Sequence, residues 1–231
     1  MILSTPDTIN EDGAANHGSV VLLAGASGLV GREILATLLA DKTVAAVHCV
    51  GRRPIPVKHP KLITHLAEFS ALPTLPKVDQ CFISLGTTIK VAGSQAAFRA
   101  VDLDGVLAMA LAARCSGAAT LGVVSAMGAD AQSPVFYNRI KGEMEIALGR
   151  MGFKSLVIAR PALIDGDRAS LGQAGRAGEG IGLLLARALR PVLPANYRAI
   201  LARDVAQALI RTVQAATPGV VTLLSGDMQG G

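Results

Sequence analysis

Tyr137 and Lys141 stand four residues apart in the run Tyr137-Asn138-Arg139-Ile140-Lys141. On a helix that spacing puts both side chains on one face. A phenol ordinarily ionises near pH 10, so acid–base work near neutrality needs a downward shift of about 3 units, roughly 4 kcal/mol. A neighbouring ammonium acts in that direction by stabilising the phenolate. The pair is therefore a candidate proton-transfer device, although a solvated pair on a helix surface has the same spacing. Ser125 ends an apolar segment 12 residues earlier. A hydroxyl there either polarises a carbonyl or bonds local backbone.

A second cluster is built from glycine. Gly25-Ala26-Ser27-Gly28-Leu29-Val30-Gly31 follows the apolar run Val20–Ala24 and opens the helical segment Leu29–Leu39. Strand, glycine turn and helix in that order leave backbone N–H groups free where the helix dipole favours an anion. The G-x-x-G-x-x-G spacing departs from the G-x-G-x-x-G dinucleotide fingerprint. A tight turn with no ligand remains an alternative. Arg52 lies 21 positions after Gly31, followed by Arg53. NAD-binding sites usually place an acid near there for the ribose 2′-hydroxyl. A guanidinium instead suits a 2′-phosphate, which favours NADP over NAD, and a solvated basic loop is the alternative.

The elements that would hold these residues alternate. Strands are expected at Val20–Ala24, Val44–Val50, Leu62–Leu66, Val78–Leu85, Thr120–Ser125, Ser155–Ala159 and Val220–Leu224. Helices are expected at Leu29–Leu39, Ser94–Cys115, Val135–Met151 and Asp204–Ala216. This α/β alternation implies a parallel sheet with helices on both faces, and the first and fourth strands adjacent at the ligand-binding switch point. Residues 1–18 read as a loose tail and 19–231 as one domain. The glycine-rich stretch 165–199 breaks the rhythm and reads as a substrate lid or a flexible surface loop.

Composition bounds the rest. Of 231 residues, 51% are apolar and 17% charged, as expected for strands buried on both faces. No apolar run reaches the roughly 18 residues of a membrane span. Net charge is +5, with seven Phe and Tyr together and no Trp, which argues against nucleic-acid binding. Cys49, Cys81 and Cys115 form no metal-binding or disulfide pattern and read as buried free thiols of a cytoplasmic protein. No metal is expected. His17, His48, His59 and His65 show no constellation, and Asp102 and Asp104 read as a helix cap or solvated charges. Arg160 either orients a cofactor or pairs with an acid inside the fold. Glu68 follows the third strand.

Together these motifs resemble the short-chain dehydrogenases/reductases, in the atypical TIP30-like branch. The resemblance rests on Gly25–Arg32, Gly51-Arg52-Arg53, Leu85-Gly86-Thr87-Thr88, Phe98–Asp102, Gly128-Ala129-Asp130, Tyr137–Glu143, Arg160-Pro161 and Gly166-Asp167-Arg168. It implies a Rossmann-type doubly wound parallel sheet with a small C-terminal substrate region, and NADP(H) as cofactor. Gly25, Ser27, Gly28, Leu29, Val30, Gly31, Arg52, Arg53, Leu85, Gly86, Thr87 and Lys141 would contact that cofactor. Tyr137 would exchange a proton with a small carbonyl or alcohol substrate, helped by Lys141. Ser125 matches one of two adjacent serines common in the family, and Ala126 replaces the other. Helices such as Val135–Met151 pair subunits in related proteins, which allows a homodimer. The competing expectation, favoured by Ala126, is an NADP(H)-binding regulatory or chaperone-like protein with little turnover. Independently of that choice, the resemblance implies that Glu68, after the third strand, would lie beside the adenine. A sugar-nucleotide epimerase would share fold and cofactor, but the chain is short for a sugar-nucleotide domain.

Overall fold

The computed structural model describes residues 18–165 and 195–229. Residues 1–17 of the expected tail and 166–194 of the expected lid lie outside the described residues. Seven parallel strands form the sheet in the order β3-β2-β1-β4-β5-β6-β9. They are β1 (Ser19–Ala24), β2 (Val44–Gly51), β3 (Leu62–Leu66), β4 (Gln80–Ile83), β5 (Thr120–Val124), β6 (Ser155–Arg160) and β9 (Gly219–Leu224). A separate short pair joins β7 (Ile164–Asp165) to β8 (Ile200–Leu201). β1 lies between β2 and β4, so the chain reverses direction across the sheet at β1, as the alternation predicts.

Both faces of the central strands β1, β4, β5 and β6 are buried, while the edge strands β3 and β9 are partly exposed, and the central strands alternate their side chains between two cores. Val21 and Leu23 face α1 (Leu29–Ala40) and α6 (Ala202–Ala215), packing with Ile34, Leu38, Val205 and Leu209. Leu22 and Ala24 face α4 (Val106–Cys115) and α5 (Phe136–Gly149), packing with Phe98, Met109, Ile140 and Met144. Two glycines set the closeness of these layers. A Cβ at Gly122 on β5 would stand 2.7 Å from Val213 on α6. A Cβ at Gly142 on α5 would stand 2.1 Å from the Ala131 backbone nitrogen, so the helix lies directly on the loop after β5.

The long helix expected over Ser94–Cys115 is broken into three. A four-residue helix α2 (Ile89–Ala92) precedes it; then come α3 (Gln95–Arg99), a π-helical segment Ala100–Gly105, and α4. Ser94 starts α3 by accepting a hydrogen bond from Ala97 N. The π turn is wider than an α turn and buries Asp102 and Leu103 together. Asp102 is only 1% exposed, which corrects the expectation of a cap or solvated charge.

Two other expectations are corrected. Cys49 and Cys81 are buried as expected, but Cys115 at the end of α4 is exposed. Burial pushes the Cys49 thiol up to about 12 and raises Cys81 as well, so both stay protonated. The histidines do form one pair. His48 Nδ1 on β2 lies 2.9 Å from His65 Nε2 on β3, with the rings stacked. Among the described residues, no group of three or more His, Cys, Asp or Glu side chains could hold a metal ion. No helix there is long and apolar enough to cross a membrane.

Candidate active site

The C-terminal ends of β1, β2, β4 and β5 meet along one edge of the sheet, and the candidate residues follow each strand. Gly25 leaves β1 with φ +88°, a conformation that suits glycine. A Cβ at Gly31 would stand 2.0 Å from the Gly25 carbonyl oxygen, so the turn closes onto the helix only with glycine there. Gly28 differs, because its nearest contact for a Cβ is the same oxygen at 3.4 Å. Gly28 starts α1 without a side-chain hydrogen bond, and no acid stands in the first turn. The first N–H groups of α1, those of Leu29, Val30 and Gly31, are therefore free of a side-chain cap. Ser27 is exposed beside them.

Arg52 and Arg53 follow β2, whose Val50 is in register with Ala24 of β1. Both are exposed and make no hydrogen bond or ion pair among the described residues. Glu68, after β3, is exposed too. A cavity of about 340 Å³ on the outer flank of α1 is lined by Ser27, Arg32, Leu35, Ile55 and Val57 among others. It touches the glycine turn but not Tyr137, Lys141 or Ser125.

Ser84, just past β4, holds the glycine turn to the rest of the site. Its hydroxyl donates weakly toward the Ala24 and Gly25 carbonyls, at 3.4 and 3.3 Å. Leu85-Gly86-Thr87 continues from it. The Thr87 N–H donates to Asp102 Oδ2 at 2.8 Å. Asp102 Oδ1 in turn lies 2.7 Å from Lys141 Nζ, an ion pair whose side chains are 1% and 4% exposed. The contacts thus run unbroken from the glycine turn to α5.

On α5, Tyr137, Lys141 and Glu145 occupy successive turns. The Tyr137 ring is half-buried and leans on Phe98, with centroids 5.5 Å apart. Its hydroxyl has no partner among the described residues. Glu145 is buried and receives the Arg160 guanidinium, with Nε at 3.1 and 3.2 Å from its two oxygens. This is the second of the two roles expected for Arg160. The hydrogen bond and the charge of Glu145 hold the guanidinium pKa above its usual value against burial. The Ser125 hydroxyl also donates to Glu145 Oε1, and Ser125 is 5% exposed. Ser125 therefore sits where sequence reasoning placed it, at the end of β5, but with its hydroxyl held by a carboxylate. Ala126 beside it is buried.

Sequence reasoning missed Glu145, Ser84 and the burial of Asp102. The signal for Glu145 was present, since it lies one helical turn past Lys141 in the same row.

A rat protein, HTATIP2 (TIP30), is 30% identical over 228 residues, covering 96% of this chain and 88% of its own. The chain belongs to the TIP30-like branch of the atypical short-chain dehydrogenases/reductases. The mitochondrial protein fmp52 of Emericella nidulans is 37% identical over 161 residues, covering 64% of this chain and 68% of its own. No protein-family model matches the chain. Among solved structures, a short-chain dehydrogenase family protein from Francisella tularensis has a TM-score of 0.66 at 14% identity, covering 92% of this chain and 99% of its own. MoeE5, solved with UDP-glucose and NAD, has a TM-score of 0.67 at 18% identity, covering 88% and 74%. These two share the Rossmann-type fold. The expected cytoplasmic location is overturned by the fungal relatives, which are named as mitochondrial proteins.

Proposed function

We propose that this protein is an NADP(H)-dependent oxidoreductase that interconverts a carbonyl and an alcohol on a small molecule. The observation that carries this reading is the arrangement on α5. Lys141 is buried and paired, and Tyr137 one turn away keeps its hydroxyl without a partner among the described residues. The residues fit a dinucleotide. An uncapped helix N-terminus and the space at Gly28 suit a pyrophosphate, and Arg52 and Arg53, unpaired among the described residues, suit a 2′-phosphate. MoeE5, of similar fold, was solved with NAD, which supports a nicotinamide cofactor.

Gly25, Ser27, Gly28, Leu29, Val30 and Gly31 would hold the pyrophosphate, and Leu85, Gly86 and Thr87 would line the cofactor. When bound, the nicotinamide supplies or takes the hydride. Tyr137 gives its phenolic proton to the substrate oxygen during reduction and recovers it during oxidation. The Lys141 ammonium lies one turn below Tyr137 and offsets negative charge that develops on the phenol. Ser125 acts in this reading through Glu145, fixing the end of β5 against α5.

Cofactor titrations test the first half. NADPH is expected to bind more tightly than NADH, and Arg52→Ala to lose about tenfold in NADPH affinity while leaving NADH unchanged. Equal affinities in the native protein would overturn the 2′-phosphate assignment. Turnover of aldehydes, ketones and quinones tests the second half. Tyr137→Phe is expected to lower kcat by about 10²–10⁴ with NADPH affinity retained.

The regulatory reading draws on one observation. Ala126 has no hydroxyl and Ser125 directs its own at Glu145, so neither offers a donor to a carbonyl. Tight NADPH binding with no turnover in either protein would favour it.

A further inference from the structure

We propose that the cavity on the outer flank of α1 is a second binding site, for an alkyl chain of medium length with a carboxylate head. The inference stands apart from the dinucleotide reading. It begins in the connection from β2 to β3, residues 52–61, which holds Pro54, Pro56 and Pro60. Parallel neighbours are usually joined through a helix, and prolines at this density forbid one. The connection accordingly carries no helix and lies beside α1 as a loop. Its Ile55 packs on the core, while Val57 stays 43% exposed. On the facing side α1 presents Arg32, Leu35, Ala36 and Leu39. Their spacing, i, i+3, i+4 and i+7, makes one stripe about 10 Å long. Loop and stripe enclose about 340 Å³, at the small end of the range of ligand pockets.

The cavity is chemically two-ended. Arg32 stands at the end of the stripe nearest the glycine turn, where Ser27 also lines the cavity. Leu35, Ala36 and Leu39 follow away from the turn, with Ile55 and Val57 on the loop side. The Arg32 guanidinium makes no hydrogen bond or ion pair among the described residues. The connection adds Arg52, Arg53, Lys58 and Lys61 and contains no acid. A carboxylate accepts two parallel N–H bonds from a guanidinium, and the stripe takes an alkyl chain out of water. A neutral apolar ligand would leave Arg32 unused, and a small anion would leave the stripe wet.

Calorimetric titrations of decanoate, decanol and hexanoate into the native protein test the assignment. Decanoate is expected to saturate one site per chain and to bind at least about tenfold more tightly than decanol, which lacks the charge. Hexanoate keeps the head but shortens the chain, and is expected to bind about a hundredfold more weakly than decanoate. Arg32→Gln is expected to bring decanoate down to the affinity of decanol. Ala36→Phe fills the cavity from an exposed helix position, and is expected to abolish decanoate binding with a melting temperature near the native one. If Ala36→Phe unfolds early, Val57→Glu on the loop side replaces it, because a carboxylate there repels the head. No saturable decanoate binding, equal binding of decanoate and decanol, or undiminished binding in the folded variant would each overturn the proposal.

The dinucleotide is the competing occupant, because Ala26 and Ser27 belong to both the cavity and the glycine turn. NADPH affinity in Ala36→Phe is expected to stay within about twofold of the native value. A loss of NADPH binding parallel to that of decanoate would assign the cavity to the cofactor and overturn the proposal. If the native protein binds decanoate as expected but no dinucleotide, the dinucleotide reading fails and this site stands.

Discussion

Tyr137, Lys141 and Glu145 follow one another at four-residue steps along α5, and among the described residues only the first has its polar atom without a partner. Two ion pairs thus lock the helix in rotation: Lys141 to Asp102 on one side and Glu145 to Arg160 on the other. The lock presents the phenol. It also changes what Ser125 can do. A hydroxyl has one proton, and in Ser125 it points at Glu145. Ser125→Ala is therefore expected to lower stability by about 1–3 kcal/mol, because it removes a buried donor from a carboxylate. Its effect on kcat is expected to stay within about tenfold, whereas loss of a donor to the transition-state oxyanion costs about 10²–10³. Thermal unfolding and steady-state kinetics on the same variant decide between these roles. The serine was visible in the sequence as a strand-end residue. Its partner was not, because a contact between residues 125 and 145 depends on how α5 docks.

The elements were the most legible part of the chain. Leu62–Leu66 forms a strand with the bounds read from its apolar run, and α1 extends the expected helix by one residue. Buried parallel strands announce themselves because both faces are apolar. The stretch Ser94–Cys115 was not legible, since a π turn conserves helical composition while shifting the phase of every residue after it. That is why Asp102 passed for a surface charge. The glycine turn shows how an element can separate folding from binding. Gly31→Ala would drive a Cβ to 2.0 Å from the Gly25 oxygen, so severe destabilisation is expected. Gly28 has room, and φ −83° is open to any residue. Gly28→Ala is expected to keep a melting temperature near the native one and to weaken NADPH binding, because its methyl occupies the mouth of the turn. A native affinity in Gly28→Ala would argue that no pyrophosphate approaches that backbone.

At the scale of the whole molecule, the order β3-β2-β1-β4 gathers the glycine turn, Arg52 and the Thr87 loop at one edge, and it also brings two histidines together. The strand order was predictable for β1 and β4 from handedness. The pairing of His48 with His65 required the register of β2 on β3, with Val50 opposite His65 and His48 opposite Ile63, which no motif encodes. Burial chiefly, and then the charge of His65, lowers the His48 pKa below its ordinary value of 6.5. The consequence for the fold has a definite sign. Above the unfolded value the ring is neutral in both states and contributes no pH dependence. As pH falls below it, the unfolded chain takes up the proton first, so the folded state loses relative stability until its own lowered pKa is reached. Geometry points the same way, because a shared contact at 2.9 Å needs at least one ring nitrogen to accept. Protonating both rings would set two donors against each other. The melting temperature is therefore expected to drop between about pH 7 and pH 5. In His48→Gln that drop should be smaller, since the depressed titration is gone while a hydrogen-bonding side chain remains. Unfolding scans of the two proteins across this window make the comparison, and parallel curves would show that the pair does not couple folding to pH.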